Sequence, residues 1–175
     1  ALLGGSAMLD KEKYSDIIGM ICGTGANTCA SVALKQISKL HTEGEGSMLI
    51  NLESGNYNGM PAGDVDDRVD AESHQPGEKR MEKMSSGAYI GEVCKQAMKK
   101  AVEEGLIPED VYKKILLINP LNGAVVDNWA CGNDPYHVFD TADQLSFARE
   151  LCLAIFERSA RCMATNILTI LRLNG

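Results

Sequence analysis

Aromatic residues are scarce, with one Trp, five Tyr and three Phe in 175 residues. That is too few for the stacking platforms that hold single-stranded nucleic acid. Positive charge is short as well: 17 Lys and Arg stand against 24 Asp and Glu, a formal net charge of −7. Such a chain repels phosphate backbones, so no nucleic-acid partner is expected. No apolar run approaches the roughly 20 residues of a spanning helix, and no membrane segment is expected. Cys22, Cys29, Cys94, Cys131, Cys152 and Cys162 include no C-x-x-C pair, which removes a metal ribbon or thioredoxin-type motif. His41, His74 and His137 lie far apart without H-E-x-x-H spacing, so they read as loop or surface residues and no metal site is expected.

What is present describes an ordinary soluble globular protein, 45% apolar and 23% charged. Its length supplies a core that folds without disulfide staples, which favours reduced thiols and a cytoplasmic location. Leu2 to Leu9 is apolar but has no basic leader and runs into Asp10-Lys11-Glu12-Lys13, so it does not read as a signal peptide. The opening Ala1-Leu2-Leu3 has no initiator Met and reads as a segment of something longer.

Ser15 to Gly23 is an Ile-rich apolar run closed by glycine, a buried strand entering a tight turn. Over residues 28–40 the period of Ala30, Ala33, Leu34 and Ile37 favours a helix, whereas the short length and Ser/Thr/Cys/Val content suit a strand. After a turn at residues 41–47, Met48 to Leu52 is a second strand candidate, and residues 54–64 are a loop by their Gly, Asn and Pro content. Long helices dominate from Pro76 onward. Ile90, Val93, Ala97, Met98, Ala101 and Val102 mark one buried helical face, with Lys95, Lys99, Lys100 and Glu103 in solvent and Gly105 closing the helix. Pro108 opens a short helix to about Leu116, and residues 118–140 read as a long connection. Thr141-Ala142-Asp143-Gln144 is a capping box that starts the last helix, whose apolar stripe runs through Ile155 and Phe156 towards Leu171.

The sharpest local signal is Gly23-Thr24-Gly25-Ala26-Asn27 at a strand end. Glycines there let backbone N–H groups approach a phosphate, although a tight turn has the same composition. It is neither a Walker loop nor a dinucleotide fingerprint, since the G-K-[ST] ending and the third glycine are absent. Glu53 ends the second strand, and Glu82 sits early in the long helix. Both are of a type that reads hydroxyl groups, and both are also common as solvated acids. Asn27, Glu53 and Glu82 flank turns or helix starts on one side of neighbouring elements, where open sheets place binding groups.

Three ordered motifs carry a resemblance. Ile18 to Asn27 resembles the phosphate and sugar loop of the hexokinase family. Asn51-Leu52-Glu53-Ser54-Gly55 is similar to its N-x-E-W-G segment. Asp67-Arg68-Val69-Asp70, Gln75-Pro76-Gly77 and Glu82 to Glu92 (EKMSSGAYIGE) are similar to its D-x-x-x-D, N-P-G and E-K-M-I-S-G-x-Y-L-G-E run. The resemblance covers about residues 15–105, and the last helix is compatible with it. It implies an α/β fold, a partial ribonuclease-H-like, actin-type ATPase domain with antiparallel strands packed against long helices. Residues 1–65 would supply strands and loops and residues 66–175 the helices, together a segment of the family's large domain.

The activity implied is transfer of the terminal phosphoryl of ATP, with Mg2+, to the 6-hydroxyl of a hexose such as glucose. Asn27, Glu53 and Glu82 would hold sugar hydroxyls, and Gly23, Thr24 and Gly25 would approach the nucleotide phosphates. By the same resemblance residues 28–40 form a strand antiparallel to the first. The family's general-base Asp would lie upstream of Ala1, and its small domain and the end of its adenosine site would also lie outside, so this segment alone is expected to be inactive. Ser54 stands where the family has an aromatic residue, and Thr28 where it has a small apolar one. Those departures keep two other readings open: a non-catalytic hexokinase-like sugar-binding or regulatory protein, and an actin-fold ATPase module.

Overall fold

In the computed structural model, the described residues are Gly5, Asp10, 12–15, 17–41 and 44–174. Strands β1 (Ile18–Cys22), β2 (Ala26–Ala33) and β3 (Ser47–Asn51) form one antiparallel sheet in the order β1-β2-β3. The last pair of the first hairpin is Cys22 with Ala26, and Cys29 faces Asn51 across the second. Helices follow: α1 (Asp64–Ala71), α2 (Arg80–Ser85), α3 (Gly87–Glu103), α4 (Glu109–Leu116), α5 (Gly123–Ala130) and α6 (Ala142–Asn174). The expected mixed fold of antiparallel strands against long helices is the one observed. No helix among the described residues is long and apolar enough to cross a membrane.

Over residues 28–40 the strand antiparallel to β1 that the resemblance implies, and not the helical period, is what forms, as far as Ala33. This stretch is β2 followed by single 3-10 turns at Leu34–Gln36 and Ser38–Leu40. Along β2 the buried positions are Ala26, Thr28 and Ala30, a period of two. Its inward residues are small or polar, so hydrophobicity does not mark them, and the recurrence of Ala30 and Ala33 imitates a helical face.

The connection expected over residues 118–140 contains α5. Asn122 caps it by accepting hydrogen bonds from the Ala124 and Val125 N–H groups at 3.0 and 3.3 Å. Val125, Val126, Trp129 and Ala130 are its buried face. The Gly105 stop is as expected: φ is +73°, its N–H donates to the Val102 carbonyl, and the Leu106 N–H donates to Ala101. Pro108 sits one residue before α4 as its cap. At α6 the Thr141 hydroxyl accepts from the Gln144 N–H at 3.2 Å, but the Gln144 side chain accepts from Asp140, one residue earlier than a capping box requires.

Two clusters of buried side chains hold the fold. The larger joins Val69, the inner face of α3, Val111, Ile115, Trp129, Val138 and the first half of α6. Each such side chain contributes about 1.5–3 kcal/mol on burial. The smaller consists of Ala26, Met81, Met84, Cys162 and Met163. It fixes the hairpin end of β2 to α2 and the second half of α6, and the candidate residues lie around that end.

Candidate functional site

Gly23, Thr24 and Gly25 form the turn between β1 and β2. The Gly23 N–H donates to the Gly25 carbonyl at 2.9 Å, so it is not free for a ligand. The turn's own carbonyls face inward: Gly87 N–H donates to Gly23 O at 2.7 Å and Ala88 N–H to Thr24 O at 3.3 Å. These bonds explain why one expected long helix is two. The Gly87 and Ala88 donors go to the turn, and Ser86 is extended between α2 and α3. The inward carbonyls leave the Thr24 and Gly25 N–H groups without partners among the described residues, and Thr24 is exposed. Neighbouring N–H groups of this kind can take an anionic oxygen.

Asn27 is the second residue of β2 and flanks the turn, as its sequence position suggests. Its amide nitrogen donates to Asn51 Oδ1 at 2.9 Å, while its Oδ1 accepts from the N–H groups of Thr28, at 2.8 Å, and Ser54, at 3.2 Å. Asn51 in turn donates to Glu53 Oε1 at 2.5 Å. Glu53 has left-handed backbone, φ +49°, at the end of β3, and its side chain is exposed. Asn27 and Glu53 are thus joined through Asn51, a residue inside the quoted motif whose role the sequence reading missed. Its place one strand over from Asn27 was the available signal, once β2 and β3 are paired.

Glu82 reaches the same spot from α2. Its Oε2 accepts the Ala26 N–H at 3.2 Å, beside Asn27. Of the two glycines beside it, Gly55 is required by a backbone contact and Gly25 leaves room for the carboxylate. A Cβ on Gly25 would stand 2.8 Å from Glu82 Oε2, and one on Gly55 would stand 2.5 Å from the Ala26 carbonyl and 3.3 Å from Glu82 Cβ. Neither Glu53 nor Glu82 has an ion-pair partner among the described residues. The structure therefore gathers Asn27, Glu53 and Glu82 at one end of the sheet. Two carboxylates without cations beside an amide form a set suited to a neutral ligand with several hydroxyl donors.

The two departures noted in sequence meet here. Buried Thr28 donates its hydroxyl to Ser54 Oγ at 3.0 Å, and the Leu52 N–H donates to the Thr28 carbonyl. The residue after Glu53 is consequently tied to β2 by polar contacts.

Comparison with known proteins gives a consistent set of likenesses. The family model described as Hexokinase matches residues 17–175. Hexokinase-1 of Nicotiana tabacum is 29% identical, over 94% of this chain and 37% of that protein. Hexokinase-7 of Oryza sativa subsp. japonica is 30% identical, over 91% of this chain and 38% of that protein. A solved hexokinase from Schistosoma mansoni complexed with glucose superimposes with a TM-score of 0.77 at 22% identity, over 98% of this chain and 42% of that one. This chain spans well under half the length of these relatives.

Proposed function

The chain belongs to the hexokinase family, and from that premise we propose that it forms the hydroxyl-reading side of a hexose kinase site. Asn27, Glu53 and Glu82 bind the hydroxyl groups of a hexose such as glucose. Thr24 and Gly25 present N–H groups to phosphate oxygens, with the Gly23 carbonyl anchoring the turn. The observation that supports this most is the linkage of Asn27, Asn51 and Glu53 by hydrogen bonds, meeting Glu82 at the Ala26 N–H.

The whole protein's reaction is then phosphoryl transfer from ATP to the 6-hydroxyl of the bound sugar. The unpartnered N–H groups of Thr24 and Gly25 fit a phosphate, and ATP with Mg2+ supplies the transferable group and neutralises its charge. This chain's own residues position the acceptor. Carboxylates accept from sugar hydroxyls while the Asn51 and Thr28 contacts hold the reading groups in place, so little ordering remains for the ligand to impose. With six free thiols, a reducing compartment such as the cytoplasm is part of the same proposal.

Calorimetric titration of the protein with glucose, mannose and fructose tests the reading. Glu53→Gln and Glu82→Gln each weaken hexose binding at least tenfold, while circular dichroism stays unchanged. If no hexose binds, or if both variants bind as tightly as the parent, the assignment is wrong.

A further inference from the structure

Among the described residues, three hydrogen bonds fasten the loop that carries Glu53 to the start of α2, which carries Glu82. The Met81 N–H donates to the Tyr57 carbonyl at 3.1 Å, Asn58 Nδ2 donates to the Gly77 carbonyl at 3.0 Å, and Asn58 Oδ1 accepts from the Arg80 N–H at 3.1 Å. One side chain makes two of the three. Asn58 is exposed, lies outside any helix or strand, and is followed by Gly59. That pairing is chemically labile. A glycine carries no Cβ to keep its nitrogen from the asparagine Cγ. The Arg80 N–H also polarises the carbonyl under attack, as donors do for the oxyanion of an acyl transfer. Asn122-Gly123 has the same two residues in the opposite setting. Gly123 opens α5, whose Val125, Val126 and Trp129 are buried, so its nitrogen cannot turn towards Asn122 Cγ without unwinding the helix.

We propose that Asn58-Gly59 is a site of spontaneous deamidation whose product unfastens this loop from α2. The Gly59 nitrogen gives its proton to solvent and bonds to Asn58 Cγ, the Cγ–Nδ2 bond breaks, and ammonia leaves a succinimide. Water then opens one of the two carbonyl–nitrogen bonds of that ring. Opening at Cγ gives an aspartate on an ordinary main chain. Opening at the main-chain carbonyl gives isoaspartate, whose main chain runs through Cγ and is one carbon longer. Either product carries one more negative charge and has lost Nδ2, so the Gly77 carbonyl loses its donor. In isoaspartate the longer main chain also shifts the register in which Tyr57 meets Met81. Glu53 and Glu82 stand on opposite sides of this clasp, and opening it frees their separation. Resting on the reading of both as hexose-binding residues, the modification lowers hexose affinity, and a hexose that spans them slows the modification.

The test is incubation of the protein at pH 8 with peptide mapping by mass spectrometry at intervals. Asn58 converts at least tenfold faster than Asn122. Gly59→Ala, whose Cβ would displace the tip of the exposed Tyr57 ring, slows conversion of Asn58 at least tenfold, and thermal melting establishes that it is folded. The added charge separates modified from unmodified protein by anion exchange. Native-state hydrogen exchange then shows the Arg80 and Met81 amides at least tenfold less protected in the modified form, with those of α5 unchanged. By calorimetry the isoaspartate form binds glucose at least threefold more weakly, and saturating glucose slows conversion of Asn58 but not of Asn122. Equal conversion at Asn58 and Asn122, or full protection of Arg80 and Met81 after modification, overturns the proposal whether or not a hexose binds. A form opened at those amides that keeps its glucose affinity overturns the link to the hexose site. Failure of glucose to bind the unmodified protein removes the hexose reading, and the conversion and exchange results still decide the modification.

Discussion

Asp70 and Lys83 form the most buried ion pair of the described residues, at 8% and 4% exposure. Lys83 Nζ donates to Asp70 Oδ1 and to the Gln75 carbonyl, each at 2.6 Å, and Asp70 Oδ2 accepts from the Gly77 N–H at 2.8 Å and from Arg80 at 3.3 Å. Burial by itself raises the Asp70 carboxyl. The Lys83 hydrogen bond, the Gly77 N–H and the charges of Lys83 and Arg80 outweigh it and hold the group below its ordinary value. A carboxyl depressed on folding contributes stability that is complete above its unfolded value and is lost as pH falls through its folded one. Urea midpoints followed from pH 7 to pH 2.5 therefore fall below about pH 4. In Asp70→Asn the midpoint starts lower and falls less across that window. Lys83→Met, which leaves the carboxylate only Arg80 and the Gly77 N–H, destabilises by about 1.5–3 kcal/mol at pH 7, the range of a hydrogen bond to a charged group. Equal acid slopes in parent and Asp70→Asn show that the pair makes no such contribution.

Among the elements, α3 has the least tolerant contact. Gly91 faces the Leu121–Asn122 backbone, and a Cβ there would lie 1.9 Å from the Leu121 carbonyl oxygen and 2.6 Å from its carbon. Backbone cannot rotate away as a side chain does, so Gly91→Ala forces α3 off the start of α5. The substitution gains helix propensity of about 1 kcal/mol and loses more through overpacking, which typically costs about 1–3 kcal/mol and here strikes fixed atoms. Thermal melting is expected to place Gly91→Ala below the parent, and an equal or higher midpoint contradicts the close approach.

That contact also shows where sequence reasoning stops. The apolar face of α3 and its glycine stop follow from local pattern, whereas β1 forms as a strand but is not the buried one its apolar run suggests, since Met20 and Ile21 are 47% and 66% exposed. The helix α5 does not stand out, because its eight residues fall between turn signals. The break between α2 and α3 is invisible for another reason: its cause is a pair of hydrogen bonds from Gly87 and Ala88 to a turn more than sixty positions earlier. The same holds at the site. Asn27, Glu53 and Glu82 were recognisable as residue types at element ends, whereas Asn51 acquires its bridging place only when β2 and β3 are in register.

For the whole molecule, α6 carries the decisive geometry. Its 33 residues make a rod of about 50 Å. Ala148, Cys152 and Ile155 belong to the large cluster, and Cys162 and Met163 to the small one. Between them, Arg158 pairs with Asp66, and the Ser159 hydroxyl donates to the Ser85 carbonyl at 2.6 Å. The two halves of one continuous helix thus report on cores of unequal size. Opening free energy follows the apolar contact that must be broken, so native-state hydrogen exchange should divide α6 near Ser159. Amides around Cys152 and those of α3 and α5 exchange only near the global unfolding energy. Those around Met163, with β2 and α2, open at lower energy as one unit. A saturating hexose then discriminates where it binds. Held by Asn27, Glu53 and Glu82, it raises the lower tier by about 2.7 kcal/mol at one hundred times its dissociation constant. Bound elsewhere, it leaves that local opening unchanged. A single exchange energy along all of α6 would mean that the two clusters melt together, and the binding residues would then sit on no separable unit.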